Sequence, residues 1–271
     1  MNQHPIGILD SGVGGLATLS ALQRGLPHES FIYVGDLARV PYGDKSTSAI
    51  RTYAKQMIQF LLDRQVKALA VACNTISAAA LSEALETRDT PLFDVLEAGS
   101  SAAVRATRHG RIGVIATAAT VRERGYERTI LGKRPHASVL SVECPLLVPL
   151  IEEGWQERQV TQQVVEEYLL PFRKSTVDTM VLGCTHYSFI RPVIRSVLGP
   201  DIEIVDPALA LAEQLTSAVK SGAIDPAVSR GPVGQLTFYV TDHIERFRRV
   251  AARLCPSSSG STMQQAKLDV R

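Results

Sequence analysis

The stretch "TMVLGCTHYSF", residues 179–189, is an apolar run that stops at Gly183 and continues as Cys184, Thr185 and His186. A second stretch, "LAVACNTISA" at residues 69–78, repeats the plan with Ala72, Cys73, Asn74 and Thr75. In both, the aliphatic residues run on without alternating with polar ones, as in a strand buried on both faces. A helix-compatible segment then follows. Strand, small residue, polar cluster and helix together form the first half of a βαβ unit, whose functional groups sit at the carboxyl end of the strand. The two stretches therefore predict an α/β fold with a thiol at the end of each of two buried strands.

The same rhythm runs through the rest of the chain. Further strands are expected at 5–10, 31–35, 91–96, 111–116, 137–142, 202–206 and 235–240, and helices at 46–64, 75–86, 97–109, 159–173 and 207–221. Strands alternating with amphipathic helices give parallel sheets with right-handed crossovers. Because the two cysteine segments echo each other, two pseudo-symmetric parallel-sheet halves are expected, with a cleft between them. Residues 1–97 together with 207–255 would form the first half and 98–206 the second. The last segment, "PSSSGSTMQQAKLDVR" at 256–271, has no apolar periodicity and reads as a disordered tail.

Composition narrows the function classes. The chain has 271 residues, 45% of them hydrophobic and 21% charged, which is the balance of a globular protein. A net charge of +2 with interspersed signs and no aromatic-basic stripe gives no support for nucleic-acid binding. The longest uncharged stretch, from Lys67 to Glu83, is polar in places and shorter than the ~20 residues of a membrane span. The N-terminus lacks the basic-then-apolar order of a secretory signal, so a cytoplasmic location is expected. Four cysteines without a CxxC spacing suggest reduced thiols rather than a disulfide framework or a zinc site.

Three constellations could carry chemistry. The first is "ILDSGVGGL", residues 8–16, where a strand ends at Asp10 and a glycine-rich turn opens a helix. Gly12 to Ala17 fits the permissive G-x-G-x-x-A dinucleotide pattern, and Asp36 lies about 20 residues on, where a ribose-binding acid would fall. A nicotinamide-dependent oxidoreductase is therefore one reading. Asp10 would repel a pyrophosphate, however, so a small-ligand site using Asp10 and Ser11 is preferred. The second is "VPYGDKS", residues 40–46, a tight turn carrying Tyr42 and Gly43 ahead of a helix capped by Ser46. The third is the pair of thiols. A lone buried cysteine is ordinarily a small hydrophobe, and Cys144 and Cys255 are read that way. At a helix start, however, the dipole favours thiolate, and a lowered pKa is expected for Cys73 and Cys184. Cys184 and His186 could form a nucleophile pair, although adjacency in sequence is not the spatial dyad of a protease, and the other five histidines are scattered.

Two thiols facing one pocket suit proton transfer at a stereocentre, in which one removes the Cα hydrogen and the other delivers a proton to the opposite face. The segments "ILDSGVGGL", "VPYGDKS", "VACNT", "CPLLVPLIEEG" and "LGCTHY", in this order, closely resemble the glutamate racemase family of the cofactor-independent aspartate/glutamate racemase superfamily. The resemblance implies two pseudo-symmetric α/β domains with the site between them. It also implies interconversion of L- and D-glutamate for bacterial cell-wall peptidoglycan. Cys73 and Cys184 would be the acid/base pair, assisted by Asp10 and His186, with Glu152 beside the site. Asp10 with Ser11, Tyr42 with Gly43, Asn74 with Thr75, and Thr185 with His186 would bind substrate, as would Thr117 and Thr120 in a threonine-rich loop. No cofactor and no metal are expected. The expected partner is a small-molecule substrate, glutamate, with a homodimer as an admissible assembly. The chain departs from the family pattern at Ala116 and Ala119, where members tend to carry glycine, and at Ala98, where proline is common. Racemisation of aspartate or a hydantoin, and a non-catalytic glutamate-binding protein, are the neighbouring alternatives.

Overall fold

The computed structural model describes residues 4–80, 89–173, 175–227 and 234–268. Among these, ten strands form two wholly parallel sheets. The first contains β1 (Ile6–Asp10), β2 (Phe31–Gly35), β3 (Ala68–Val71), β4 (Leu92–Asp94), β9 (Leu236–Val240) and β10 (Thr262–Gln265), in the order β10-β9-β2-β1-β3-β4. The second contains β5 (Arg111–Ala116), β6 (Ser138–Glu143), β7 (Thr179–Gly183) and β8 (Glu203–Val205), in the order β6-β5-β7-β8. The central strands β1, β3 and β7 are buried along their whole length, as their unbroken aliphatic runs require. β6, at a sheet edge, is half exposed.

Helices α1 (Leu16–Gly25), α2 (Thr47–Leu62) and α3 (Asn74–Ala80) follow β1, β2 and β3. The helix expected at 75–86 thus starts at Asn74, and its continuation beyond residue 80 lies outside the described residues. The expected strand at 91–96 stops at Asp94. The carboxylate of Asp94 accepts from Leu96 N at 2.9 Å and Glu97 N at 3.0 Å, which caps α4 (Val95–Ala106) and starts the helix early. α4 crosses from one sheet to the other: Val95 and Ala98 join the core of the first, and Leu96 and Ala103 that of the second. A cut between residues 97 and 98 therefore passes through a helix. The second sheet carries α5 (Ala118–Arg122), α6 (Gly125–Lys133), α7 (Leu147–Glu152), α8 (Gln159–Arg173) and α9 (Arg191–Leu198).

The chain returns through α10 (Pro207–Lys220), capped by Asp206 with proline at the first helical position. β9 then pairs with β2, and α11 (Ile244–Leu254) packs on the first sheet through an aromatic cluster of Tyr33, Phe238 and Phe247. The tail expected to be disordered continues this sheet. β10 pairs in parallel with β9 from Thr262↔Thr237 to Gln265↔Val240, and Ala266 is buried in the core beneath it. An edge strand gains its hydrogen bonds from the backbone, so it needs no apolar alternation to form. No helix among the described residues is long and apolar enough to cross a membrane.

Candidate active site

Both cysteine segments deliver their thiols to one place. Cys73 follows β3 in the first sheet and Cys184 follows β7 in the second, and both line a single cavity of about 460 Å³. The cavity wall also takes in Ser11, Tyr42, Gly43, Asn74 and Thr75 from the first half. Thr117, Glu152, Thr185 and His186 come from the second. Two predicted residues stand behind the wall rather than in it. Asp10 is buried beneath Ser11, and Thr120 backs onto Thr75 and Thr117.

The surroundings of the two thiols differ. Cys73 Sγ lies 3.4 Å from Ser11 Oγ. Burial, and then the charge of Asp10, push its thiol up to about 12, against smaller opposing contributions from the Ser11 hydroxyl and the Ile76 N–H. The thiolate-favouring helix start expected here is thus outweighed by desolvation. Asp10 is itself committed, since its Oδ2 accepts from Gly12 N at 2.9 Å and from Tyr33 Oη at 3.3 Å.

Cys184 instead has a base beside it. Its Sγ is 3.7 Å from His186 Nδ1, and His186 Nε2 is 3.1 Å from Glu152 Oε1. The pair that the sequence admits is formed, because the chain turns tightly in a 3₁₀ helix over Thr185–Ile190 and brings the ring back to the sulfur. Burial disfavours the charged ring, but hydrogen bonds and charge from Cys184 and Glu152 outweigh it and raise His186 to about 10. Burial likewise works against the Glu152 carboxylate, yet His186, Arg246 and Arg253 hold it below its ordinary range. Thiol, imidazole and carboxylate form the nucleophile–base–orienter arrangement of covalent and acid–base enzymes.

The remaining polar groups form a ring around the cavity. Thr75 Oγ1 meets Thr117 Oγ1 at 2.9 Å and Thr120 Oγ1 at 3.3 Å, linking the end of β3 to the end of β5. Asn74 Oδ1 accepts from Tyr126 Oη at 2.6 Å. That leaves the Asn74 amide nitrogen buried without a partner among the described residues, a donor available to a ligand oxygen.

The glycine-rich turn has a different purpose from the one its pattern suggests. A Cβ at Gly14 would lie 2.5 Å from His186 Nδ1 and 2.6 Å from Thr185 Oγ1, so the glycine permits the two halves to meet at the site. Asp36 is equally unavailable to a ribose. It is fully buried, pairs with Arg39 Nε at 2.5 Å, and accepts from Tyr42 Oη and from Thr241 Oγ1 at 2.9 Å. Its role is to hold the Tyr42 turn against the cavity. Sequence reasoning missed Arg246, in α11, a helix it does not anticipate, and Tyr126, which no motif marks. Among the described residues no cluster of histidine, cysteine and carboxylate groups is arranged to hold a metal.

Residues 8–215 match the Asp/Glu/Hydantoin racemase family. The glutamate racemase of Syntrophus aciditrophicus is 42% identical over 92% of this chain and 92% of its own length. That of Neisseria meningitidis serogroup A is 41% identical over 98% of this chain and 96% of its own. The crystal structure of Francisella tularensis glutamate racemase in complex with D-glutamate matches with a TM-score of 0.91 and 36% identity, covering 99% of each chain. Motif order, fold and full-length likeness agree: the chain belongs to the glutamate racemases of the Asp/Glu/Hydantoin racemase family.

Proposed function

We propose that this amino-acid racemase interconverts L- and D-glutamate by a two-base mechanism in which Cys73 and Cys184 act on one Cα. The observation that carries the reading is the delivery of two thiols from two different sheets into one cavity, Cys73 beside Ser11 and Cys184 beside His186. His186, raised to about 10, is an imidazolium at neutral pH and lies 3.7 Å from Cys184 Sγ, placed to exchange a proton with it. Cys73, pushed up to about 12, is a thiol. One thiolate and one thiol are what a single turnover needs. Cys184 takes the Cα hydrogen of one enantiomer, and Cys73 gives its proton to the opposite face. In the reverse direction Cys73 must be the base, and Asp10, whose charge is felt at Cys73, is assigned to take up its proton. Charge developing on the substrate carboxylate would meet the Asn74 amide and the Thr75 and Thr185 hydroxyls.

This reading brings with it a cytoplasmic enzyme that uses no cofactor and supplies D-glutamate to peptidoglycan, with a homodimer as an admissible assembly. The division into 1–97 with 207–255 and 98–206 goes with it, since each half then contributes one thiol. Incubation of either enantiomer in deuterated water tests the chemistry. Product should carry solvent deuterium at Cα, and Cys73→Ala and Cys184→Ala should each abolish racemisation. Full activity in Cys184→Ala would refute the two-base assignment.

A further inference from the structure

Among the described residues Arg246 is the one arginine or lysine in the cavity wall, and no motif of the site gives it a task. It stands in the first turn of α11 beside Phe247, which is fully buried with its ring 5.2 Å from that of Phe238. This anchor fixes α11 to the first sheet and holds Arg246 over the end of α7, in the second half. Arg246 Nη2 donates to Glu152 Oε2 at 3.2 Å, while Glu152 Oε1 faces His186 Nε2 at 3.1 Å. Two turns further along the same helix face, Arg253 Nη2 donates to the carbonyl oxygens of Ile151, at 3.4 Å, and of Glu152. One helix of the first half therefore grips both the side chain and the main chain of Glu152.

A carboxylate with a single partner turns freely about its last bond. With partners on both oxygens its plane is fixed. The Arg246 side chain is 51% exposed, so its Coulomb attraction is screened and its contribution is chiefly geometric. What it orients is the acceptor that holds the imidazole against Cys184. Cys73, which has Ser11 and Asp10 around it, shares none of these contacts.

We propose that Arg246 is a positioning residue for the Cys184 half of the reaction, holding Glu152 in the plane that keeps His186 on the sulfur. The assignment rests on the racemase reading above, and its test also has a readout that does not depend on turnover. Wild type, Arg246→Gln, Arg246→Lys, Glu152→Gln and the Glu152→Gln/Arg246→Gln double variant are treated with iodoacetamide at neutral pH, and the alkylation rate of each cysteine is followed by peptide mass mapping. Arg246→Gln should slow Cys184 by up to about fivefold, the effect of losing one half-exposed charged contact, and leave Cys73 unchanged. Lysine should restore part of the rate, which separates lost positioning from lost folding. The double variant should be no slower than Glu152→Gln alone, because the arginine acts through that carboxylate. kcat/KM for glutamate should fall in parallel for both enantiomers, since the equilibrium constant of racemisation is unity. An unchanged Cys184 rate, equal slowing of both thiols, or losses that multiply in the double variant would each overturn the proposal. If wild type fails to racemise glutamate, the functional reading falls, while the cysteine-selective pattern still decides the role of Arg246.

Discussion

Gly14 and His186 approach so closely that no side chain fits between them, since a Cβ on the glycine would lie 2.5 Å from the imidazole Nδ1. The glycine follows β1 and the imidazole follows β7, so this contact sets one wall of the site against the other. Gly14→Ala should displace His186 or Thr185 and cost about 1–3 kcal/mol in stability, as overpacking does. Misplacing the imidazole should lower kcat by at least about tenfold. Thermal unfolding and steady-state kinetics measure the two effects, and an unaltered kcat would count against the contact.

The raised pKa of His186 makes stability depend on pH. Burial alone would lower it, but Cys184 and Glu152 raise it from 6.5 to about 10. A basic group raised on folding stabilises the fold fully below its unfolded pKa, and the contribution fades as pH climbs towards the folded value. The stability difference between wild type and His186→Asn should therefore be greatest below about pH 6.5 and shrink towards about pH 10. Glu152, held low, stays charged over that window and does not reverse the trend. Denaturant unfolding of both proteins across the range checks the sign, and a gap that widens with pH would be inconsistent with it.

At Cys73 the prediction runs in opposite directions for reactivity and turnover. After burial, Asp10 is the largest influence opposing a thiolate there. Asp10→Asn should make Cys73 several-fold more reactive towards an alkylating agent, by removing a nearby like charge. Racemisation should nevertheless fall, because the proposed acceptor of the Cys73 proton is gone. A variant in which both quantities fall together would show Asp10 to be only a cap for the glycine turn.

Tyr126 fixes which end of the Asn74 amide is left free. Its hydroxyl donates to Asn74 Oδ1 at 2.6 Å and so leaves the nitrogen free. Tyr126→Phe removes that constraint without altering the cavity wall, and it should raise KM about tenfold, the size of one buried hydrogen bond, with a smaller change in kcat. Calorimetric titration with D-glutamate gives the affinity directly, and unchanged binding would dismiss the orienting role.

The end of the chain is open to a simple test. Ala266 is 4% exposed and its N–H donates to Val240 O at 2.8 Å, alongside β10. Ala266→Asp would bury a charge with no partner and should destabilise the protein by at least about 2 kcal/mol. Activity per folded molecule should be retained. A loose tail would tolerate the change, so an unshifted melting curve would argue against β10.

What could be read from sequence followed the range of the interactions involved. β1, β3 and β7 announce themselves because a strand buried on both faces must be aliphatic throughout, and the residue after each is where a parallel sheet presents its chemistry. Cys73, Cys184 and their polar neighbours were legible for that reason. The Asp94 cap was equally local but was read as strand, because "PLFDVL" is apolar on both sides of it. Arg246 and Tyr126 were not legible. Each acts on a residue distant in sequence, Glu152 and Asn74, and only the folded chain brings the pairs together. The direction of the Cys73 pKa is not legible, because a helix start can be recognised in a sequence whereas the depth of its burial cannot.

The pairing of β9 with β2, and the seat it provides for α11, bears on when the enzyme becomes competent during its synthesis. A ribosome that has already released both thiols still holds back the helix bearing Arg246 and the Thr241 hydroxyl that meets Asp36. The nascent polypeptide is thus missing part of its catalytic chamber until α11 has been translated, and fragments truncated upstream of α11 should be inert however well their sheets assemble.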